Sequence, residues 1–403
     1  MTTVADPTAP LDPELFLPEP EPRAVKYTVI SVDDHLVEPP HMFDGRLPAK
    51  LQDRAPKIVA DERGHEVWEF EGERHFQVGQ NAVAGRRPET VKIEPFRFDQ
   101  MRPGCYDPDA RVRDMDIGGL WASLCFPSMI TGFCGRVYSQ IADRELGRAV
   151  TRAWNDWMYE DWWGSHPDRF IPLGIIDLTD PEEGAAEIRR NADRGFVTVS
   201  LPERPHRIGL PSIFDDHWEP VMRACAETDT VISLHVGSSG MADFAPGCPP
   251  LQIGATLFGQ LSLTACAEWV WSAWAVRFPD LKIAMSEGGI GWVAMLIDRL
   301  DNIVDRSGYG LDGFGGKRPA EVLRENFWFC TIDDPSTIET RHAIGIDHVM
   351  VESDYPHGDG TWPDTQAVIE RYWGHLPVDD LRKMTHQNAA ALYRHPLPPN
   401  PVP

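Results

Sequence analysis

The feature that most constrains this chain is a repeated pattern: short β-branched, apolar runs, each breaking off at a residue able to bind a metal or carry a proton. Residues 27–38 (YTVISVDDHLVE) set it. Such a run suits a parallel strand buried on both faces. Others lie at 120–128, 169–178, 195–203, 231–240, 281–289, 326–334 and 348–357. Amphipathic stretches such as PEEGAAEIRRNADRG and WVAMLIDRLDNIV fall between them. Together these runs predict eight strands in βα alternation. The expected fold is therefore α/β, a (β/α)8 TIM-type barrel over residues 26–395, with an open doubly wound sheet as the alternative. Residues 54–95 depart from the rhythm, and alternation in EVWEFEGERHFQVG predicts a small inserted β-hairpin subdomain there. The acidic, proline-rich residues 1–25 read as a disordered arm and 396–403 as a frayed tail.

The residues closing these runs matter as much as their number: Asp33 with His35, then Glu203, His235, Glu287 and Asp354. In a barrel the C-terminal strand ends share one face and converge on one pocket. Asp33-Asp34-His35 places its first and third side chains on the same side of a strand, so both can grip one ion while Asp34 faces away. Each residue alone has a plainer reading. Asp33 and Asp34 suit a solvent-facing strand end, His235 a hydrogen-bonded core histidine, and Asp354 a loop cap. Jointly they predict a metal held by Asp33, His35, His235 and Asp354. A glutamate closing an apolar strand is costly to bury unless paired or bound to a cation, which adds Glu203 and Glu287. Glu38 and His357 each stand three residues beyond a proposed ligand. They are candidate ligands too, or hydrogen-bonded supports for the others.

Bulk properties exclude several function classes. The chain has 403 residues, 42% of them hydrophobic, and a mean hydropathy of -0.33, with no apolar run long enough to span a membrane. Its N-terminus lacks the basic start and apolar stretch of a secretory signal. Seven cysteines are scattered singly, without a CxxC pair, which implies reduced thiols and a cytoplasmic location. A formal charge of -24 with no basic stripe argues against nucleic acid and leaves a small-molecule substrate as the expected partner. A homo-oligomer is compatible with all of this.

Three motif-like stretches carry no chemistry. His65-Glu66 begins like H-E-x-x-H but lacks the second histidine. Gly308 to Gly313 spells G-x-G-x-x-G after a helical segment rather than a strand, so it reads as a flexible loop. Gly237-Ser238-Ser239-Gly240 lacks the G-x-S-x-G elbow of a serine hydrolase. The tryptophans of WNDWMYEDWWG (154–164) are most simply core and interface filling.

The stretches VDDHLVEPP (32–40), YDPDARVRDMDIGG (106–119), HPDRFIPLG (166–174), LPSIFDDHWEPV (210–221), LHVGSSG (234–240), FPDLKIAMSEGGIGW (278–292), SDYPHGDGTWP (353–363) and NAAALY (388–393) run in order along most of the chain. At these residues the sequence resembles the amidohydrolase-related family, the branch of the amidohydrolase superfamily that includes aminocarboxymuconate-semialdehyde decarboxylase. The resemblance implies a metal-containing barrel, with Asp33, His35, His235 and Asp354 as metal positions. Two departures stand out. The family's decarboxylases place a histidine on the sixth strand, where this chain has Glu287. The two-zinc hydrolases place a carboxylated lysine near the point where Glu203 stands.

The carboxylate-rich set with His35, His235 and His357 favours one or two divalent ions per chain, Fe, Mn or Zn, the first two more than a four-coordinate zinc. The leading expectation is a metal-dependent hydrolase attacking a small organic substrate with metal-activated water. Asp354 would then serve as ligand and proton carrier, and Glu287 as base or second-metal ligand. A dinuclear Fe or Mn non-haem oxygenase comes next, then a non-oxidative decarboxylase, and last a catalytically dead partner subunit.

Overall fold

The structure, a computed structural model, describes residues 10–76, 81–92, 96–307, 312–332 and 334–402. Its strands in chain order are β1 (Ile30–His35), β2 (Lys57–Ala60), β3 (Glu66–Phe70), β4 (Glu73–His75), β5 (Ala122–Phe126), β6 (Phe170–Ile171), β7 (Leu173–Gly174), β8 (Thr198–Pro202), β9 (Val231–His235), β10 (Ile283–Ser286), β11 (Phe327–Thr331) and β12 (Val349–Val351). One parallel sheet runs β1-β5-β6 and a second runs β12-β11-β10-β9-β8-β7. Only Pro172 separates β6 from β7. It has no N–H to donate, so it interrupts the ladder without turning the chain away. At their other edges the sheets also meet: Asp354 N donates to Asp33 O (3.0 Å), and His35 N to Tyr355 O (2.6 Å).

All eight runs read from the sequence contain parallel strands. Every residue of β1, β5, β8, β9 and β10 is buried, as two covered faces require. The helices between them follow ordinary rules. Helix Pro108–Gly118 starts with Asp107 accepting from Ala110 N (2.7 Å) and stops at Gly119 in the left-handed conformation (φ 76°). Helix Arg144–Trp157 turns Leu146, Val150, Ala153, Trp154 and Trp157 inward at helical spacing. Trp154, Trp157 and Trp162 of the tryptophan-rich segment are core residues.

Within 54–95, β2, β3 and β4 form an antiparallel three-stranded sheet. Trp68 and Phe70 fix it to the main core, edge-on to Phe43 and Tyr138 respectively. Residues 77–80 and 93–95 of that stretch lie outside the described residues, as does most of the glycine-rich 308–313 loop.

The two chain ends depart from expectation. Residues 1–9 lie outside the described residues, but from residue 10 the arm expected to be disordered packs on the body. Phe16 is buried and bridges to Arg86, and Leu17 N donates to Gly85 O (2.9 Å). Glu19 holds Arg102 through both oxygens at 2.8 Å. A cleft of about 780 Å³ lies between the arm and helix Pro108–Gly118, and no residue of the metal-ligand set lines it. The tail is stitched down as well: Val402 N donates to Thr28 Oγ1 (2.8 Å), and Trp121 Nε1 to Pro396 O (2.9 Å). No helix among the described residues is long and apolar enough to cross a membrane.

Candidate metal centre

The C-terminal ends of β1, β9, β10 and β12 deliver six of the eight candidate residues to one place. Asp33 and His35 come from β1, despite an irregular register between Ser31 and Asp34. His235 closes β9, and Glu287, Asp354 and His357 follow β10 and β12. His35 Nε2 stands 3.0 Å from His235 Nε2, 3.5 Å from Asp33 Oδ1 and 3.4 Å from Asp354 Oδ1. His235 Nε2 is 3.6 Å from Asp33 Oδ1 and 3.3 Å from Glu287 Oε2. His357 Nδ1 lies 2.9 Å from Asp354 Oδ1 and 3.8 Å from Glu287 Oε1. Glu287 and Asp354 both leave their strands with positive φ (60° and 53°). For non-glycine residues that costs on the order of 1–3 kcal/mol, a strain concentrated at functional sites.

Asp34 faces away from the cluster as expected, and it is the clamp beneath it. Its carboxylate accepts from Ser31 Oγ (3.0 Å), Ser353 Oγ (2.5 Å), Tyr355 N (3.0 Å) and Ser123 Oγ, tying β1, β5 and the segment after β12 together. Arg111 donates to His35 O and lies over the Tyr355 ring, while Tyr355 OH donates to Asp114. Asp114 is also gripped by Arg102 (2.5 Å). The residue after Asp354 is thus wired to the N-terminal arm through Asp114, Arg102 and Glu19.

Electrostatics match a site that needs a cation. Burial above all, then the charges of Glu352, Glu287 and Asp354, raises the Asp33 pKa well above the usual carboxylate range. Burial and Glu287 do the same to Asp354. Burial, then neighbouring His357 and His235, pushes His35 down, and burial lowers His235. Without a cation the site disfavours charge on these acids and histidines alike. Neutral imidazole is the metal-binding form, and a carboxylate surrenders its proton to a metal readily. His235 Nδ1 faces Val236 O at 2.6 Å. A carbonyl only accepts, so Nδ1 carries the hydrogen and Nε2 offers its lone pair to the cluster. Both oxygens of Asp33 are sealed from solvent without a hydrogen-bond partner. Ligand atoms about 2.1 Å from one ion stand roughly 3.0–3.4 Å apart in octahedral or tetrahedral arrangements. The donor spacings here are close to that, so these residues fit a divalent cation.

Glu38 and Glu203 are not brought to the cluster. Glu38 Oε1 accepts from Ser128 N (3.2 Å), Thr131 Oγ1 (2.6 Å) and Trp154 Nε1 (3.1 Å), and Oε2 from Ser128 Oγ. With its lone pairs so committed it pins the loop after β5 and is not free to bind an ion. Glu203 Oε1 accepts from Gly237 N (3.0 Å), and among the described residues Glu203 joins none of the ligand groups. Two acids were missed. Glu352 is fully buried and accepts from Glu287 N (3.2 Å) and the Cys330 thiol; burial first, then Glu287, raises it to about 8. It groups with Asp33 and Cys330. The i, i+2 logic that paired Asp33 with His35 would have paired Glu352 with Asp354. Asp359 joins Glu287, Asp354 and His357 in a second group whose ligand atoms lie within 4.8 Å of one another. Its signal was the spacing of Asp354, His357 and Asp359 along SDYPHGD.

Such a set, mounted on the C-terminal ends of parallel strands, invites comparison with known metal enzymes. The sequence profile of the amidohydrolase family matches residues 48–395. The chain belongs to the amidohydrolase superfamily. Among curated members, gamma-resorcylate decarboxylase of Rhodococcus jostii is 26% identical over 320 residues, 72% of this chain and 92% of that protein. Decarboxylase orsB of Emericella nidulans is 29% identical over 298 residues, 68% of this chain and 81% of that one. Among solved structures, an amidohydrolase of Mycobacterium avium subsp. paratuberculosis superposes with a TM-score of 0.69 at 23% identity, covering 92% of this chain and 100% of that one. A 5-carboxyvanillate decarboxylase of Novosphingobium aromaticivorans, crystallised with manganese, gives 0.63 at 17% identity over 93% and 100%. These superpositions extend the superfamily fold over nearly the whole chain.

Proposed function

We propose that this amidohydrolase-superfamily enzyme is a divalent-metal-dependent, non-oxidative decarboxylase of a hydroxylated aromatic acid, built on an eight-stranded barrel closed between β1 and β12. The observation that carries the metal requirement is the meeting at His35 of two ligand groups, Asp33 with His235 and Asp354 with His357, where both Asp33 oxygens are buried without a hydrogen-bond partner. The reaction class is supported by the curated relatives, which are decarboxylases along most of their length. The hydrolytic expectation drawn from the sequence gains no such support.

Asp33, His35, His235 and Asp354 would hold the ion, with Asp34, Arg111 and Asp114 fixing their backbones. When bound, the ion supplies a Lewis acid that polarises substrate oxygens. The chain's own task is to protonate the ring carbon. As the bond to the carboxylate breaks, its electron pair stays on that carbon, carbon dioxide leaves, and a proton must arrive from an acid beside the ring. Glu287 is placed to deliver it. Its side chain is 11% exposed while the side chains of the four ligands are 2% exposed or less, so of the carboxylates close to these ligands on the strand ends it faces the open side, with the exposed Asp359 farther out. His357, between Glu287 and Asp354, can pass the next proton to it. A carboxyl here would do the work that the family's decarboxylases give to a histidine.

The group of Glu287, Asp354, His357 and Asp359 favours a second reading, a dinuclear centre sharing Asp354, as an oxygenase would use. One experiment separates the two. Full-length protein loaded with Mn²⁺ or Fe²⁺ is given 2,6-dihydroxybenzoate and 5-carboxyvanillate, and carbon dioxide release, oxygen uptake and metal per chain are measured. Release without oxygen uptake is expected. Two ions per chain with oxygen uptake would select the oxygenase.

A further inference from the structure

Two residues beside the cluster have no part in holding an ion. Glu203 leaves β8 level with the cluster, because Pro202 pairs with His235 in register. Its carboxylate is buried; Gly237 N donates to Oε1 (3.0 Å) and the Ser239 backbone also leans on the carboxylate, while Oε2 makes no hydrogen bond. A buried carboxylate oxygen left like that is costly unless something supplies a donor. The Ser238 and Ser239 hydroxyls hold this turn by accepting from Glu203 N (3.1 Å) and Arg204 N (2.9 Å), and the Arg204 guanidinium is engaged by Glu268 (2.6 Å). There is room alongside, since a Cβ added to Gly237 or Gly240 would meet no atom within 4 Å.

The second residue is Phe133. It is partly exposed, whereas Phe126, whose ring also meets both histidines, is buried. Its ring stacks on His235 (centroids 4.9 Å apart, planes at 26°) and meets His35 edge-on (5.7 Å, 84°). It holds a positive φ of 63°, unusual for a bulky side chain, and Ser200 Oγ of β8 fixes its carbonyl at 2.8 Å. Phe133 and Glu203 therefore flank the same strand end. Cys134, next to Phe133, is within electrostatic reach of the Glu203 carboxylate.

We propose that Phe133 and Glu203 form a substrate subsite beside His235, with Phe133 as the platform for an aromatic ring and Glu203 Oε2 as the acceptor for a ring hydroxyl. This rests on the aromatic-acid reading above and adds which groups of the substrate are recognised. The arrangement also orients the ligand. Burial raises the Glu203 pKa to about 7; in its ionised form Glu203 attracts a hydroxyl and repels a carboxylate, so the carboxylate points away from β8, toward Glu287 and the ion.

The test compares two ligands with the same carboxylate, 2,6-dihydroxybenzoate and benzoate, binding by calorimetry to the full chain loaded with Mn²⁺. The wild type should prefer the dihydroxy acid. Glu203→Gln should cut that preference by about 10- to 100-fold, the effect of a hydrogen bond to a charged acceptor, with benzoate affinity and manganese content unchanged. Glu203→Asp, which withdraws the carboxylate by one methylene, should act the same way and stands in if the glutamine variant does not fold. Phe133→Leu should weaken both ligands by roughly 2- to 10-fold and leave their ratio alone. No preference in the wild type, or a preference untouched in both Glu203 variants, overturns the subsite. A Glu203-dependent preference without carbon dioxide release would sink the reaction assignment and leave the subsite standing.

Discussion

Replacing Asp33 by asparagine should make the metal-free protein more stable and the metal-loaded protein less so. Asp33 is wholly buried, and neither oxygen has a hydrogen-bond partner. Its raised pKa fixes the sign. Above about pH 4 the unfolded chain sheds this proton while the metal-free folded protein keeps it, so stability falls as pH rises by up to about 1.4 kcal/mol per unit, until the folded-state value is reached. Asparagine escapes that loss, and a gain of about 1–3 kcal/mol at pH 7 is the size expected for relieving a buried carboxylate. The gain should shrink toward pH 4. With metal the order reverses, because an ion at a hundred times its Kd adds about 2.7 kcal/mol to the wild type and the variant forfeits most of it. Thermal melts at pH 4.5 and 7, with chelator and with Mn²⁺, read both effects as shifts of a few degrees. A chelated Asp33→Asn protein that melts below the chelated wild type, and is still stabilised by Mn²⁺ as the wild type is, would refute the reasoning.

Glu287→Gln keeps size and hydrogen bonding but removes the proton donor, so carbon dioxide release should drop by roughly 10²–10⁴-fold while metal per chain holds; loss of an ion would point to the dinuclear centre instead. Glu38→Leu strands the donors of Ser128, Thr131 and Trp154 and should cost about 3 kcal/mol in urea melts, yet metal content per folded chain should stay the same. Tyr355→Phe deletes the hydroxyl bonded to Asp114, one residue from Asp354. It should weaken metal binding roughly 10-fold in a competition titration, with little change in the chelated melt.

Most of the parallel sheet was legible because a strand covered on both faces tolerates little besides Val, Ile, Leu and their kin. The ligands were legible because acids and histidines at the ends of such strands have few stable alternatives to a cation. Direction was not. Glu38 and Glu203 sit on the same rim as the ligands, and nothing in residue spacing says that Ser128, Thr131 and Trp154 will surround one and Gly237 the other. Glu352 is less legible than Asp354 because it precedes the residue that closes its run, and only the folded chain sets it beside Asp33 and Cys330. The arm was misjudged from composition. Prolines and acids discourage a core, but one buried Phe16 and one Glu19–Arg102 pair suffice to lay an extended segment on a ready surface.

The way the two chain ends are held has a practical side for anyone wishing to attach something to this protein. Thr28 and Val402 hydrogen-bond to one another just before β1 begins. The six residues of β1 then carry the chain to His35, roughly 20 Å further on. A surface tether or bulky fusion at the C-terminal end therefore stands at the opposite mouth of the strands from the ion, where it obstructs nothing. The arm behaves differently. Leu17 is bonded to Gly85, whose neighbour Ala84 donates to Pro356 O, two residues from Asp354. A fluorophore on the arm would sit on the side where the chemistry is housed. It should sense manganese arriving through paramagnetic quenching, and the same dye at the tail should stay bright.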